Sequence, residues 1–170
     1  MKLRFCMMLS TIMFVGCQEQ PKQQVNADHY RVQTVQELQQ RFNHLNNKLT
    51  SDFTQFKKVE SNAFAHQYPF DANNLQSLNQ HLLASTALKS TKVAYCGMMN
   101  HYFAEMFRLG HYNLNLVDAI ELPNAKAEDL KVSFNNADQF YDFILNRYTT
   151  YRQVQQTMNY GCNLKAALTV

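Results

Sequence analysis

The chain has 170 residues and a formal charge of +3, with 16 Lys+Arg against 13 Asp+Glu and no basic or acidic block. That length supports one domain with a sizeable core, and the even charge argues against a nucleic-acid binder, which needs a concentrated positive surface to displace counterions. Four Gly and three Pro, beside 16 Gln and 17 Asn, favour long helices with amide-rich surfaces over short strands joined by tight turns.

The first element is an address. Lys2 and Arg4 precede an apolar run, Phe5 to Val15, broken only by Ser10 and Thr11. A bilayer-crossing helix needs roughly 20 apolar residues, so this shorter run fits the hydrophobic part of a secretory signal. Phe14-Val15-Gly16-Cys17 follows. It resembles the lipobox of bacterial lipoprotein precursors, with Phe14 standing where that family prefers Leu. The resemblance implies a signal peptide over 1–16, diacylglycerol on the Cys17 thiol, and cleavage before Cys17. Gln18, in place of the Asp that retains such proteins at the inner membrane, implies an outer-membrane lipoprotein facing the periplasm. Residues 17–27, with the polar run Gln18 to Gln24, read as the lipidated Cys and a flexible tether. Loss of the signal leaves 14 Lys+Arg against 13 Asp+Glu, so the acyl group, not charge, does the anchoring.

Residues 28–170 read as a single helical domain. Asp28 is placed to cap a helix over about 29–61. Its apolar positions, Tyr30, Val32, Val35, Leu38, Phe42, Leu45, Leu49, Phe53, Phe56 and Val59, recur mostly every three or four residues. Pro69 breaks the chain. A second helix begins near 71–74 with Leu75, Leu78, Leu82 and Leu83 inward. Thr91 is placed to cap a third, about 92–109, and Gly110 to stop it in a left-handed conformation. Residues 111–135 are irregular, with short helices near 114–122 and 125–132. A last long helix runs over about 136–160, with Phe140, Phe143, Ile144, Tyr148, Tyr151, Val154 and Met158 on one side and Gly161 ending it. The expected fold is all-α: an antiparallel bundle of about four main helices with an irregular crossover near 111–135.

Under the lipoprotein resemblance the compartment is oxidising, and Cys96 and Cys162 remain once Cys17 carries lipid. A disulfide is the expected state there, worth roughly 4 kcal/mol in the chain-entropy account. Two buried thiols and a soft-metal site are the alternatives. A bridge requires the last helix to run antiparallel to the third.

The stretch with most chemistry is Cys96 to Met106. His101 and Glu105 share a helix face, and imidazole with carboxylate can hold zinc, while neighbouring Met98, Met99 and Met106 suit Cu(I). Adjacent methionines diverge around a helix, so the favoured reading is core methionines beside a His101–Glu105 ion pair, with no metal. His29 and His44 fall on the polar side of the first helix. No G-x-S-x-G and no Gly-rich phosphate loop occurs. Carboxylate pairs stand at Glu128-Asp129 and Asp138…Asp142, and Asp138 suits a helix N-terminus. Tyr141, Tyr148, Tyr151 and Tyr160 gather in or near the last helix and form a candidate interface, because phenols offer area at little entropic cost.

These readings point to a lipid-anchored periplasmic protein that binds a protein partner, as an envelope accessory or a toxin-immunity or exclusion factor. It is expected to be no enzyme and to carry no cofactor beyond the lipid on Cys17. The alternative is a metal or small-ligand carrier using the His101/Glu105/Met region, and a weaker one is an envelope hydrolase.

Overall fold

The computed structural model describes residues 25–122, 125 and 127–170. The signal peptide over 1–16, Cys17 and the tether to residue 24 lie outside the described residues. The fold is all-α, and among the described residues the only β feature is an isolated antiparallel bridge, Phe64 to Leu83.

The expected helix over 29–61 is two helices. α1 is a single turn, Ala27–Tyr30, capped by Asn26 rather than Asp28: the Asn26 side chain accepts from Asp28 N–H at 3.0 Å. The chain then extends, and Thr34 opens α2, Val35–Val59. Thr34 Oγ1 accepts from Glu37 N–H, and the Glu37 carboxylate accepts from Gln33 N–H. This reciprocal pairing is a near-capping box, and it outweighs the continuity of the apolar stripe. On α2, Leu38, Phe42, Leu45, Leu49 and Phe53 are buried, whereas Val59 is exposed.

The second helix is a 3-10 segment, Ala72–His81, kinked at Asn74 (φ −125°, ψ 64°). Asp71 caps it by accepting from Asn73 N–H at 2.8 Å. Its buried residues are Ala72, Leu75, Leu78 and His81. Steps of three align on a helix with three residues per turn and drift on one with 3.6. Before it, Phe70 stacks on Phe53 with ring centroids 4.2 Å apart.

α3 is Lys89–His111 and runs beyond both expected ends. Thr91 is no cap: it is buried inside the helix and donates to Glu60 at 2.9 Å. Gly110 is no left-handed stop either. It lies within the helix, where a Cβ would fall 2.0 Å from the Phe134 ring, so its lack of a side chain serves close packing. α3 lies antiparallel against α2: Tyr95 meets Phe53 and Phe56, while Tyr102 donates to Asn46 at 2.7 Å.

The crossover holds a 3-10 turn, Val117–Ala119, packed against α4, Ala127–Ser133. The expected last helix is again two, α5 (Ala137–Arg147) and α6 (Thr149–Thr157), broken at Tyr148 (φ −116°, ψ 52°). Beyond the break Thr150 Oγ1 donates to the Leu75 carbonyl at 3.0 Å, and α6 packs along the 3-10 segment. The positive-φ residues are Asn159 and Asn163, not Gly161, and α7 is one turn, Leu164–Ala167. Phe107 meets Phe140, Phe103 meets Tyr151, and Cys96 bonds Cys162 across a Cα separation of 4.9 Å, so these contacts run antiparallel to α3.

Candidate functional site

The last-helix tyrosines do not form a surface. Tyr148 and Tyr151 are fully buried, and Tyr151 donates to Asn100 at 3.1 Å. Burial pushes the Tyr148 phenol up to about 12 and raises Tyr151 as well. Their period placed them on the apolar side, and that side is the core. Tyr141 and Tyr160 are half-buried at its edge.

The Cys96–Met106 stretch is divided between core and surface. Met99 and Met106 are buried, Met98 is half-buried and Cys96 is in the disulfide. His101 is exposed. Glu105 does not pair with it. The carboxylate takes Arg108 at 2.7 Å and the Tyr30 phenol at 2.9 Å. Burial first, and then Glu105, raises the Tyr30 pKa. Among the described residues no three His, Cys, Asp or Glu side chains converge as a metal set. Asp138 pairs with Lys165 at 2.8 Å on the surface, and the Glu128 and Asp129 side chains lie outside the described ones.

What His101 and Glu105 do line is a groove of about 570 Å³ between α1, α2 and α3. Its buried residues are Tyr30, Leu45 and Leu109. Glu37, Gln40, Arg41, His44 and Lys48 form the α2 wall, and His29 stands at the α1 end. The fixed charges are already matched: Arg41 with Glu37 at 3.0 Å, Lys48 with Asp52, Arg108 with Glu105. Three imidazoles, His29, His44 and His101, are left on the lining. Sequence spacing could not bring them together, because α1 turns away from α2 and α3 arrives from elsewhere in the chain.

The α1 end is firmly built. Asn113, 2 % exposed, donates to the Tyr30 and Leu109 carbonyls and accepts from Val32 N–H. Arg108 also reaches the Thr169 carbonyl at 3.1 Å and lies 6.0 Å from the Tyr30 ring centroid. The chain's entry into the domain is thereby fixed beside the groove.

A second cluster went unnoticed in the sequence. Lys57, on the expected polar side of α2, is buried and donates to His81 Nδ1 and to the Tyr68 carbonyl, both at 3.0 Å. Burial, then the Lys57 charge, lowers the His81 pKa to about 4. The three-residue step from Leu78 to His81 was the available signal.

Fold and groove together define a small all-α domain with a shallow interhelical cleft at the end where the chain enters. It matches no known family model, no curated protein and no solved structure.

Proposed function

We propose that this protein is a lipid-anchored outer-membrane lipoprotein that acts in the periplasm by binding a protein partner, and that the α1–α2–α3 groove is its recognition surface. The observation that carries the reading is the groove itself: an apolar floor of Tyr30, Leu45 and Leu109, bordered by charges already neutralised in pairs. A partner docking there buries apolar area without stranding an unpaired ion, the arrangement that suits an interface centre. The lipobox-like Phe14-Val15-Gly16-Cys17 supports the envelope location. The partner class follows the sequence reading: an envelope accessory, or an immunity or exclusion factor.

The test is site-specific photocrosslinking in cells. A crosslinking side chain at Gln40 or His44 is expected to trap one discrete partner, and one at Val132, exposed on α4, is not. Cys17→Ala is expected to release the protein from membranes and abolish the adduct. Equal trapping at Val132, or an adduct indifferent to a groove substitution such as His101→Glu, defeats the reading. The second reading, a small-ligand carrier, draws on the cleft that His101 and Glu105 line, where no metal set converges among the described residues. A ligand-induced rise in thermal midpoint that is lost in His101→Ala decides it.

A further inference from the structure

We propose that residues 64–84 form an acid-released flap, held closed at neutral pH by a Lys57–His81 contact that tolerates one positive charge and not two.

The geometry is that of a loop with a narrow neck. Its ends meet at the Phe64–Leu83 bridge and the Ala84 N–H bond to the Ala63 carbonyl, 2.8 Å. Between them Phe70 stacks on Phe53, Leu75 and Leu78 are buried, and His81 is 1 % exposed. The Lys57 ammonium donates to His81 Nδ1, so that nitrogen must carry a lone pair and the ring proton must sit on Nε2. Nε2 is buried without a hydrogen-bond partner among the described residues. A second ring proton would abolish the Lys57 bond and set two cations 3.0 Å apart.

The Tyr68 carbonyl and the Phe64 ring, 5.1 Å away, hold the Lys57 cation, but among the described residues no anion stands by to neutralise a second charge. Lys57 is the charged group that α2 presents to the ring, beside the Phe53 ring edge. The loop before the 3-10 segment contributes Phe70. From α3, Tyr95 lies across Phe53, and from α6, Tyr151 raises Tyr95 further; burial holds both phenols neutral. No carboxylate bonds Lys57 or His81 among the described residues.

The sign follows from linkage. Closed, the imidazole is held down to about 4; open, it returns to its ordinary 6.5. Closure is therefore at full strength above pH 6.5 and weakens as pH falls to about 4, roughly tenfold in the opening equilibrium per pH unit. Opening uncovers the Phe53 face of α2 and parts the 3-10 segment from α6, releasing the Thr150 bond to the Leu75 carbonyl. The remainder of the core stays tied through the Cys96–Cys162 bridge.

Amide hydrogen exchange on the full chain in detergent, between pH 7.5 and 4, tests this. Protection over residues 72–83 is expected to fall about tenfold per pH unit below 6.5, while residues 102–107 of α3 remain better protected. Lys57→Met removes the second cation and is expected to shrink the fall. His81→Asn is expected to flatten it. A flat wild-type profile overturns the proposal. So does loss of protection in flap and α3 in step, or a total fall between pH 7.5 and 4 that is unchanged in Lys57→Met or His81→Asn.

Discussion

Gly97 and Gly110 occupy one helix and demand opposite things of it. Around Gly97 a Cβ meets nothing within 4 Å, and the residue is exposed. At Gly110 a Cβ falls 2.0 to 2.5 Å from three carbons of the Phe134 ring. That ring is itself fully buried, tilted against Phe42 and Phe140, and has no free direction in which to retreat. Gly97→Ala is expected to stabilise by up to about 1 kcal/mol, through helix propensity alone. Gly110→Ala gains the same propensity and is expected to lose more, about 1–3 kcal/mol of overpacking, for a net destabilisation. Urea denaturation of the two variants checks the contrast in sign. The amino acid reads the same at both positions, and Gly110 read as a helix stop because its packing partner, Phe134, comes from a distant crossover.

At the scale of elements, faces were legible and continuity was not. Every apolar residue assigned to the inner side of the last helix, from Phe140 to Met158, is buried. The stripe nevertheless belongs to two helices, because a break at Tyr148 keeps both halves facing inward. The same holds at Thr34, where a side-chain cap restarts the helix within an unbroken apolar period. Thr34→Ala removes the acceptor for Glu37 N–H and is expected to cost about 1 kcal/mol, while Thr34→Ser, which keeps the hydroxyl, is expected to cost less than half of that. Thermal unfolding of the pair measures it, and equal losses would assign the cap no energetic role. Period alone also cannot separate a 3.6-residue helix from a 3-10 helix over ten residues. The leucines at 75 and 78 fit both, and only the burial of Ala72 and His81 at the same step decides between them. The groove was legible as residues, not as a place. His101 and Glu105 stood out by spacing, but their neighbours on the lining come from α1 and α2, and tertiary packing alone brings them there.

At the scale of the whole molecule, one disulfide among the described residues ties α3 to the C-terminal end of the fold. Cys96 lies in the second turn of α3, and Cys162 lies between α6 and α7, 66 residues further on. At that junction Asn100 donates to the Cys162 carbonyl, and Cys162 N–H donates to the Gln155 side chain at 2.7 Å. Both cysteines are buried, and the residues between them include the crossover, α4, α5 and α6. Opening the bridge therefore frees a long stretch of chain that is otherwise closed covalently. Chain entropy sets the expected cost at about 4 kcal/mol for a loop of this length, a large part of a typical domain's stability. Cys96→Ala with Cys162→Ala is expected to lower the urea midpoint accordingly. Reduction of the wild type is expected to reproduce the loss, since it opens the same loop while sparing the side chains. If the double variant unfolds at the wild-type midpoint, the stability resides in the aromatic core of Phe103, Phe107, Phe140 and Tyr151 alone, and the bridge serves only to hold the α7 end against α3.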